Sequence, residues 1–273
     1  MLHQPQISRY FTRRLLAALA VVAGMLLGSP GCTAESEPIQ SVLQRTGKRL
    51  EEFMEHIAWV RCMESVTQSK LGKNGKMDYK EDSLFDSLVF LRLNGDELTV
   101  EESRQLERQT GNPKNQPLLV TNGFSTLALV FHPYYQASFE FTQLEDEKVD
   151  GKRFVRVQFQ HVPGTRSPTA LQLRGHDYPL DLTGIAWIDP VTGAIAKITA
   201  SLQSGMEDLG LRKMHSEVHY APVSFAGLAV SFWLPVSATV DVESLHQHWH
   251  NIHRFAAYRR YSVTMQIEFP KQP

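Results

Sequence analysis

Residues 182–202 constrain the fold of this chain more than any other stretch. Two runs rich in strand-forming residues flank a turn at residues 189–193 that reads Asp-Pro-Val-Thr-Gly. Pro190 has the φ that the second position of a type I turn needs, Asp189 can accept hydrogen bonds from the turn's own amides, and Gly193 tolerates a positive φ. The stretch therefore predicts a β-hairpin and, with it, an antiparallel sheet.

The second run of this hairpin alternates in polarity. Even-numbered residues from Ala194 to Leu202 are small or apolar, whereas Lys197, Thr199 and Ser201 are polar. Successive side chains of a strand point to opposite faces, so this strand has one buried and one wetter face. Ile195 is the exception on the polar side.

Upstream of this hairpin, residues 39–57 have the pattern of an amphipathic helix. Apolar residues recur on one helix face and charged residues occupy the other, although Gly47 weakens the middle. We expect the helix to pack on the sheet; a helix lying on a membrane surface is the alternative. Residues 124–131 form a second apolar run, which predicts a short buried helix or a mobile lid over an apolar interior.

The rest of the chain reads as short strands separated by turn residues. Alternation is clearest where Val155, Val157 and Phe159 interleave with polar residues. Pro235 interrupts a long run and predicts a bulge or an edge. The predicted strands are 59–71, 84–93, a return strand carrying Leu98, 139–144, 153–162, 170–174, the two runs of the hairpin, 214–220, 230–234, 236–242, 249–258 and 261–269.

The first 34 residues have the pattern of a bacterial export signal. Arg9, Arg13 and Arg14 precede an uncharged apolar run at residues 15–27, and small residues follow. The run is short for a bilayer span, so a permanent anchor is the weaker interpretation. The paired arginines also fit a twin-arginine signal.

Cys32 lies where a lipoprotein signal places its lipidated cysteine. Ser-Pro-Gly precedes it instead of the usual leucine three residues before, and cleavage after Ala34 is the alternative. Lipidation would tether the protein to a membrane, whereas cleavage would release it. In either case Cys62 has no partner in the chain, so a disulfide framework is excluded and Cys62 reads as a small core residue.

The charge balance argues against nucleic acid as a partner. Without the three leader arginines, 25 basic residues face 29 acidic ones, and a mildly acidic chain lacks the basic face that phosphates require.

One helix, about ten antiparallel strands and a short inserted helix make too much sheet to stay flat. We therefore predict a mainly β (α+β) fold: a strongly curved antiparallel sheet, or half-open β-barrel, with an N-terminal helix and a short inserted helix. Residues 35–273 contain no linker long enough to divide them, so they form one domain.

This order of elements, together with the strand pair at residues 184–193 (Gly-Ile-Ala-Trp-Ile-Asp-Pro-Val-Thr-Gly), resembles the outer-membrane lipoprotein carrier and sorting superfamily (LolA/LolB-like). It is most similar to exported members from acidobacterial-type genomes. The resemblance implies an unclosed barrel with an apolar hollow, capped by helices, that holds acyl chains without covalent chemistry. It transfers no ligand-contacting residue onto this chain.

Catalytic motifs are missing from the sequence. There is no Gly-x-Ser-x-Gly, P-loop, Gly-x-Gly-x-x-Gly, His-Glu-x-x-His or Cys-x-x-Cys. Ser, His and Asp are plentiful, but no spacing indicates a triad, although tertiary assembly could still make one. We therefore expect no enzyme and no cofactor.

His246, His248 and His250 form the one cluster with metal-ligand spacing. On a strand they share a face, so two imidazoles can approach one metal such as zinc, copper or nickel. A wet strand face that tolerates histidine is the simpler interpretation. Nearby, the basic residues Arg254, Arg259 and Arg260 could meet an anionic lipid headgroup or extend to water at a sheet edge.

These features lead to three hypotheses. The first is an exported protein of the periplasm or outer membrane of a Gram-negative-type bacterium that binds a lipid or lipoprotein acyl chain, with peripheral membrane contact if lipidated. The second is an envelope sensor or scaffold that binds a partner protein through the same sheet. The third is a metal-binding protein that uses the histidines.

Overall fold

The structure is a computed structural model that describes residues 37–56, 59–72, 75–94, 97–110, 121, 123–173 and 175–260. The leader, Cys32 and the strand predicted at 261–269 lie outside these residues.

Strands dominate the described part of the chain, and the helical elements are few. The helical elements are α1 (Ile39–His56), a 3₁₀ helix (Leu127–Phe131), α2 (Pro133–Gln136) and a second 3₁₀ helix (Glu207–Leu209). The strands are β1 (Trp59–Leu71), β2 (Met77–Asn94), β3 (Glu97–Thr110), β4 (Phe139–Gln143), β5 (Glu147–Val149), β6 (Lys152–His161), β7 (Ala170–Leu173), β8 (His176–Pro179), β9 (Leu182–Ile188), β10 (Ile195–Leu202), β11 (Leu211–Ser224), β12 (Ser231–Ser244) and β13 (His248–Arg260).

One large antiparallel sheet contains most of these strands. Its order is β3-β2-β1-β13-β12-β11-β10-β9-β6-β4, with β5 also paired to β6, and β7 and β8 form a separate hairpin. Most neighbours are consecutive in the chain, but β1 pairs with β13 and β6 with β9. The sheet is curved and open, with β3 and β4 as its edges among the described strands, which confirms the predicted fold class.

Helix α1 packs its apolar face into the main core. Val42 is fully buried, and Leu43, Leu50 and Met54 contact the core from the same helix face. The helix ends within one residue of the prediction. Packing explains the glycine at position 47, in the middle of the helix. A Cβ there would lie 3.1 Å from the ring of Pro133, at the start of α2.

The predicted apolar helix is present as the 3₁₀ helix, and all five of its residues are buried in the main core. Pro133 at the first turn and the His132 side chain, which accepts the Tyr134 N–H at 3.1 Å, start α2 directly after it. The core also contains Val155, Val157 and Phe159. All three are fully buried, as their alternation with polar residues predicted.

Two irregularities noted in the sequence are β-bulges. The register of β9 and β10 shifts between Ile195 and Lys197, so Ile195 is buried despite its place in the alternation. The register of β11 and β12 shifts between His219 and Tyr220, where Tyr220 pairs with Pro235. The two runs around Pro235 are therefore one continuous strand.

No sequence pattern predicted α2, β5 or β8. Each has three or four residues, which is too short for periodicity to be read. Among the described residues, no helix is both long enough and apolar enough to cross a membrane.

Candidate functional site

The turn at residues 189–193 holds α1 against the sheet. Asp189 Oδ1 accepts the N–H groups of Val191 at 2.8 Å and Thr192 at 3.0 Å. Burial would raise the pKa of Asp189, but Lys152 Nζ at 2.6 Å and the turn amides outweigh burial and lower it. The carboxylate therefore stays charged and keeps the turn rigid.

The same turn approaches the helix backbone closely. Gly193 has a φ of 70°, and a Cβ on it would lie 2.9 Å from the carbonyl carbon and oxygen of Arg45. On the other side of α1, Gln136 Nε2 donates to Leu43 O at 3.2 Å and to Phe131 O at 2.7 Å. These contacts fix the height of α1 above the sheet face that it covers, which we call the inner face.

A narrow cavity of about 70 Å³ lies between α1 and the inner face. Its walls are mostly apolar, with a polar region where β1, β2 and β3 run side by side. The apolar lining includes Leu50, Phe53, Val60, Val89, Phe124, Ala128, Leu129, Ala194, Ile195, Phe232, Leu234 and Phe255, and the polar lining includes Thr46, Arg49, Glu64, Ser87, Glu102 and Arg104.

Glu64 on β1 is the centre of the polar region. Ser87 Oγ donates to its Oε2 at 2.6 Å, and Arg104 Nη2 and His253 Nδ1 reach its Oε1 at 2.8 and 2.7 Å. Glu64 and His253 are buried and Arg104 is nearly so. Three strands, β2, β3 and β13, thus each contribute one side chain to the single buried carboxylate that β1 carries.

The negative charge of Glu64 and the positive charge of Arg104 balance each other in this polar region. Burial would raise the pKa of Glu64, but the hydrogen bond from His253 and the charge of Arg104 outweigh burial and lower it. Burial lowers the pKa of His253, which Glu64 only partly opposes, so the imidazole is neutral. Burial also raises the pKa of Glu102, although the Gly123 N–H donates to Glu102 Oε2 at 3.0 Å. The ionised Glu64 and Arg104 therefore form one neutral pair.

His253 also contacts a hydroxyl group. Thr121 Oγ1 lies 2.7 Å from His253 Nε2, and Asn251 Nδ2 donates to Thr121 Oγ1 at 3.1 Å. Because Nδ1 of His253 faces the Glu64 carboxylate, Nε2 accepts the Thr121 hydroxyl proton. The order hydroxyl, imidazole, carboxylate is that of a nucleophilic triad. Neither Thr121 nor His253 belongs to the cavity wall, however, so the hydroxyl and the imidazole lie behind the wall and only Glu64 reaches it.

Sequence reasoning missed this network. No role was predicted for His253, which lies 189 residues from Glu64 along the chain. One weak signal existed: Glu64 interrupts a strand with valines at positions 60 and 66, where an apolar residue would be expected.

Thr46 in the middle of α1 is the second polar feature of the cavity. Its side chain is fully buried, and its Oγ1 has no hydrogen-bond partner within the described residues. An unpaired buried hydroxyl costs about 1–3 kcal/mol, so Thr46 contributes less to stability than an apolar residue of the same shape.

Cys62 lines the cavity as an inert thiol. It is buried and forms no disulfide in the described part of the chain, and burial raises its pKa to about 12. Tyr258, which also lines the cavity, donates its hydroxyl to Pro235 O at 2.6 Å. The interpretation of Cys62 as a small core residue agrees with its burial.

The three spaced histidines lie away from this cavity. His246 precedes β13, and His250 Nδ1 and His248 Nε2 lie 2.8 and 3.6 Å from the same atom, Asp241 Oδ1. No three metal-ligating side chains come together to hold a metal within the described ranges. The metal site stays a prediction, which the metal content of wild type and His248→Ala tests.

A cleft of about 480 Å³ on the outer face is lined by His248, residues 201–205 and side chains of strands β11 and β12. The three basic residues near the end of β13 are exposed: Arg254, Arg259 and Arg260. Their contact with anionic lipid headgroups also stays a prediction.

The fold and site together define an open, curved antiparallel sheet with an apolar cavity under its N-terminal helix. Neither a protein-family model nor a curated protein sequence matches this chain. Some solved structures are similar to this chain. One is a LolA superfamily protein from Nitrosomonas europaea, with 11% identity and a TM-score of 0.36. The match covers 82% of this chain and 94% of that protein's chain.

Two further structures match to a similar extent. A DUF1329 family protein from Desulfovibrio piger has 9% identity, a TM-score of 0.40, and coverage of 82% and 94%. A putative outer membrane lipoprotein-sorting protein domain from Vibrio parahaemolyticus has 9% identity, a TM-score of 0.40, and coverage of 83% and 95%. Two of the three descriptions name the superfamily that the sequence resembles. At these identities and TM-scores, no ligand and no residue role passes to this chain.

Proposed function

We propose that this protein is an exported envelope protein that binds the acyl chain of a lipid or lipoprotein in the cavity under α1, without catalysis. The observation that carries the proposal is the cavity itself: a mostly apolar space between a helix and the inner face of an open sheet. Apolar walls around unfilled space favour an apolar ligand, because burial contributes about 25 cal/mol per Å² of apolar surface removed from water.

A long acyl chain needs more room than the cavity has in this structure. About 70 Å³ holds only a few water molecules, since one water needs about 10–15 Å³ on this measure. Binding therefore requires α1 to move outward from the inner face. Each methylene buried then contributes about 0.8 kcal/mol, so several of them offset the contacts that α1 loses.

The proposal of a non-catalytic protein rests on the chemistry of the wall. Two nucleophile candidates are Cys62, which lines the cavity, and Thr121, which lies behind its wall. The Cys62 thiol stays protonated because burial raises its pKa to about 12, and the thiolate is the reactive form. The Thr121 hydroxyl is hydrogen-bonded to His253, but it lies outside the wall and so does not face a ligand in the cavity.

The envelope location rests on the leader. Residues 1–34 have the pattern of an export signal, and Cys32 is the candidate for lipid attachment. Mass spectrometry of protein from a membrane fraction, comparing wild type with Cys32→Ser, tests this: lipidation predicts a diacylglyceryl mass increment on Cys32 that the variant lacks.

The binding proposal is tested with the protein purified from its native compartment. Organic extraction followed by mass spectrometry should recover lipid in stoichiometric amount, and the delipidated protein should bind a neutral fluorescent naphthylamine probe. The variant Ala128→Trp, which fills the cavity, should bind neither, whereas Val149→Trp on the exposed strand β5 is the control. Protein that purifies without lipid and binds no probe would refute the proposal.

A further inference from the structure

The charged groups of the cavity wall are already paired. Glu64 and Arg104 share one hydrogen bond at 2.8 Å, and Arg104 Nη1 also donates to Thr121 O at 2.7 Å. Arg49 donates to Ser231 O and lies 3.6 Å from Glu52. A ligand with a charged group would therefore bury that charge beside groups that have no counter-charge to spare, which is strongly unfavourable.

Two further titratable groups near the wall favour the same conclusion. His253 packs behind Glu64 as a neutral imidazole, and Glu102 is shifted towards its neutral form by burial. An anionic headgroup would in addition face two carboxyl groups, Glu64 and Glu102, across a narrow space. Free fatty acids and phosphates are thus the least suitable ligands.

A single polar group in this wall is both fully buried and, within the described residues, unpaired. Thr46, in the middle of α1, is among the residues that line the cavity, and its Oγ1 has no partner. Buried polar atoms are almost always satisfied, by protein, water or ligand. The Thr46 hydroxyl is therefore the position at which a ligand's polar atom would complete a hydrogen bond.

We infer that the cavity takes an amphiphile whose polar group is uncharged and hydrogen-bonding, such as an acyl ester, amide or alcohol, and that this group bonds to Thr46 Oγ1. The inference rests on the proposed function, because it names the chemistry of a ligand for the same cavity. Lipids and acylated proteins are two sources of this chemistry, and both present neutral ester or amide groups next to an alkyl chain.

The experiment compares three ligands with the same dodecyl-length tail: monolaurin, laurate and dodecylamine. Each displaces the neutral naphthylamine probe from the delipidated full-length protein, for wild type and for Thr46→Val, Thr46→Ser and Thr142→Val. Valine keeps the shape of threonine but lacks its hydroxyl, serine keeps the hydroxyl, and Thr142 is an exposed residue of β4 outside the cavity.

Monolaurin should bind wild type most tightly. Thr46→Val should weaken monolaurin binding by about three- to tenfold, the equivalent of one neutral hydrogen bond, while raising the thermal midpoint because an unsatisfied hydroxyl is removed. Thr46→Ser and Thr142→Val should bind monolaurin as wild type does. If Thr46→Val does not fold, the wild-type ligand series and Thr46→Ser still decide the question.

Two outcomes would overturn the inference while leaving the proposed function intact: laurate or dodecylamine binding wild type as tightly as monolaurin, or Thr46→Val binding monolaurin unchanged. To tell a second source apart, a synthetic peptide with a diacylglyceryl cysteine and neutral flanks replaces monolaurin. If the peptide binds more tightly than monolaurin, the ligand comes from an acylated protein. If it binds more weakly, the ligand is a free lipid. Failure of every ligand and of the probe to bind would overturn the proposed function as well.

Discussion

His253 Nδ1 lies 2.7 Å from Glu64 Oε1, and both side chains are buried where β13 pairs with β1. The imidazole is neutral and the carboxylate is ionised, so the contact is a charge-assisted hydrogen bond and Arg104 supplies the counter-charge. This arrangement places a charged group in the wall of an otherwise apolar cavity and sets two of the predictions below.

Replacement of Glu64 by glutamine should destabilise the protein strongly. Glu64→Gln leaves the Arg104 guanidinium nearly buried without its counter-ion, and loss of one partner of a buried pair costs about 3–5 kcal/mol. Urea denaturation measures the change in the free energy of unfolding. Glu107→Gln is the matched control: Glu107 is exposed on β3, the strand that carries Arg104, and its replacement should change the free energy of unfolding by less than about 0.5 kcal/mol. Equal losses in both variants would contradict the role of Glu64.

Stability should fall as the pH drops below neutrality. The pKa of His253 is lowered in the folded state, so the unfolded chain takes up the proton first, and stability is lost as the pH falls through the ordinary histidine range near 6.5. The pKa of Glu64 is also lowered, so its contribution, present above its ordinary pKa, is lost at still lower pH.

The free energy of unfolding in urea, measured between pH 8 and pH 4, checks this dependence. His253→Gln keeps a hydrogen-bonding side chain but cannot titrate, so its profile should be flatter than that of wild type near the ordinary pKa of histidine, about 6.5. A wild-type profile that is level from pH 8 to pH 5 would contradict a neutral, buried His253.

Replacement of Gly193 by alanine should displace α1. The new Cβ would meet the Arg45 backbone at 2.9 Å, in addition to the strain of a φ of 70°. Gly164→Ala is the matched control, because Gly164 has a φ of 81° but no atom within 4 Å of the added Cβ.

The strain alone should lower the free energy of unfolding by about 1–2 kcal/mol in Gly164→Ala. Gly193→Ala should lose clearly more stability and should bind the naphthylamine probe faster than wild type, because α1 no longer closes the cavity. Identical behaviour of the two variants would mean that the turn does not hold the helix down.

The Cys62 thiol should be unreactive in the native protein. Burial raises its pKa to about 12, so almost no thiolate is present near neutral pH. In a Cys32→Ser background, a maleimide reagent at pH 7 should label the protein only after urea is added. Rapid labelling without urea would show that the cavity is open to solvent, and slower labelling with monolaurin than without it would place the ligand next to Cys62.

Much of the fold was readable from local patterns. The turn at residues 189–193, the face of α1 with Val42, and the inward alternation of Val155, Val157 and Phe159 all lie where the sequence predicts them. These features depend on neighbours a few residues apart, so periodicity and turn chemistry reveal them. The bulge at Ile195 was visible only as a break in the alternation, because pairing with a partner strand decides its cause.

The candidate site was not readable in the same way. The spaced histidines drew attention through their order in the sequence, yet His248 and His250 both approach a single carboxylate, Asp241, on the outer face. The group that matters for the cavity is Glu64 with Arg104 and His253, which are 40 and 189 residues away from it.

The sequence by itself determined an antiparallel sheet, an amphipathic helix laid on it and a leader with the pattern of an export signal, because each follows from contacts within a short window of the chain. The tertiary structure alone decided which polar groups line the inner space and which stay unpaired. Closing β13 onto β1 brings the end of the described chain against its beginning, and residues so distant leave no periodic signal for their meeting.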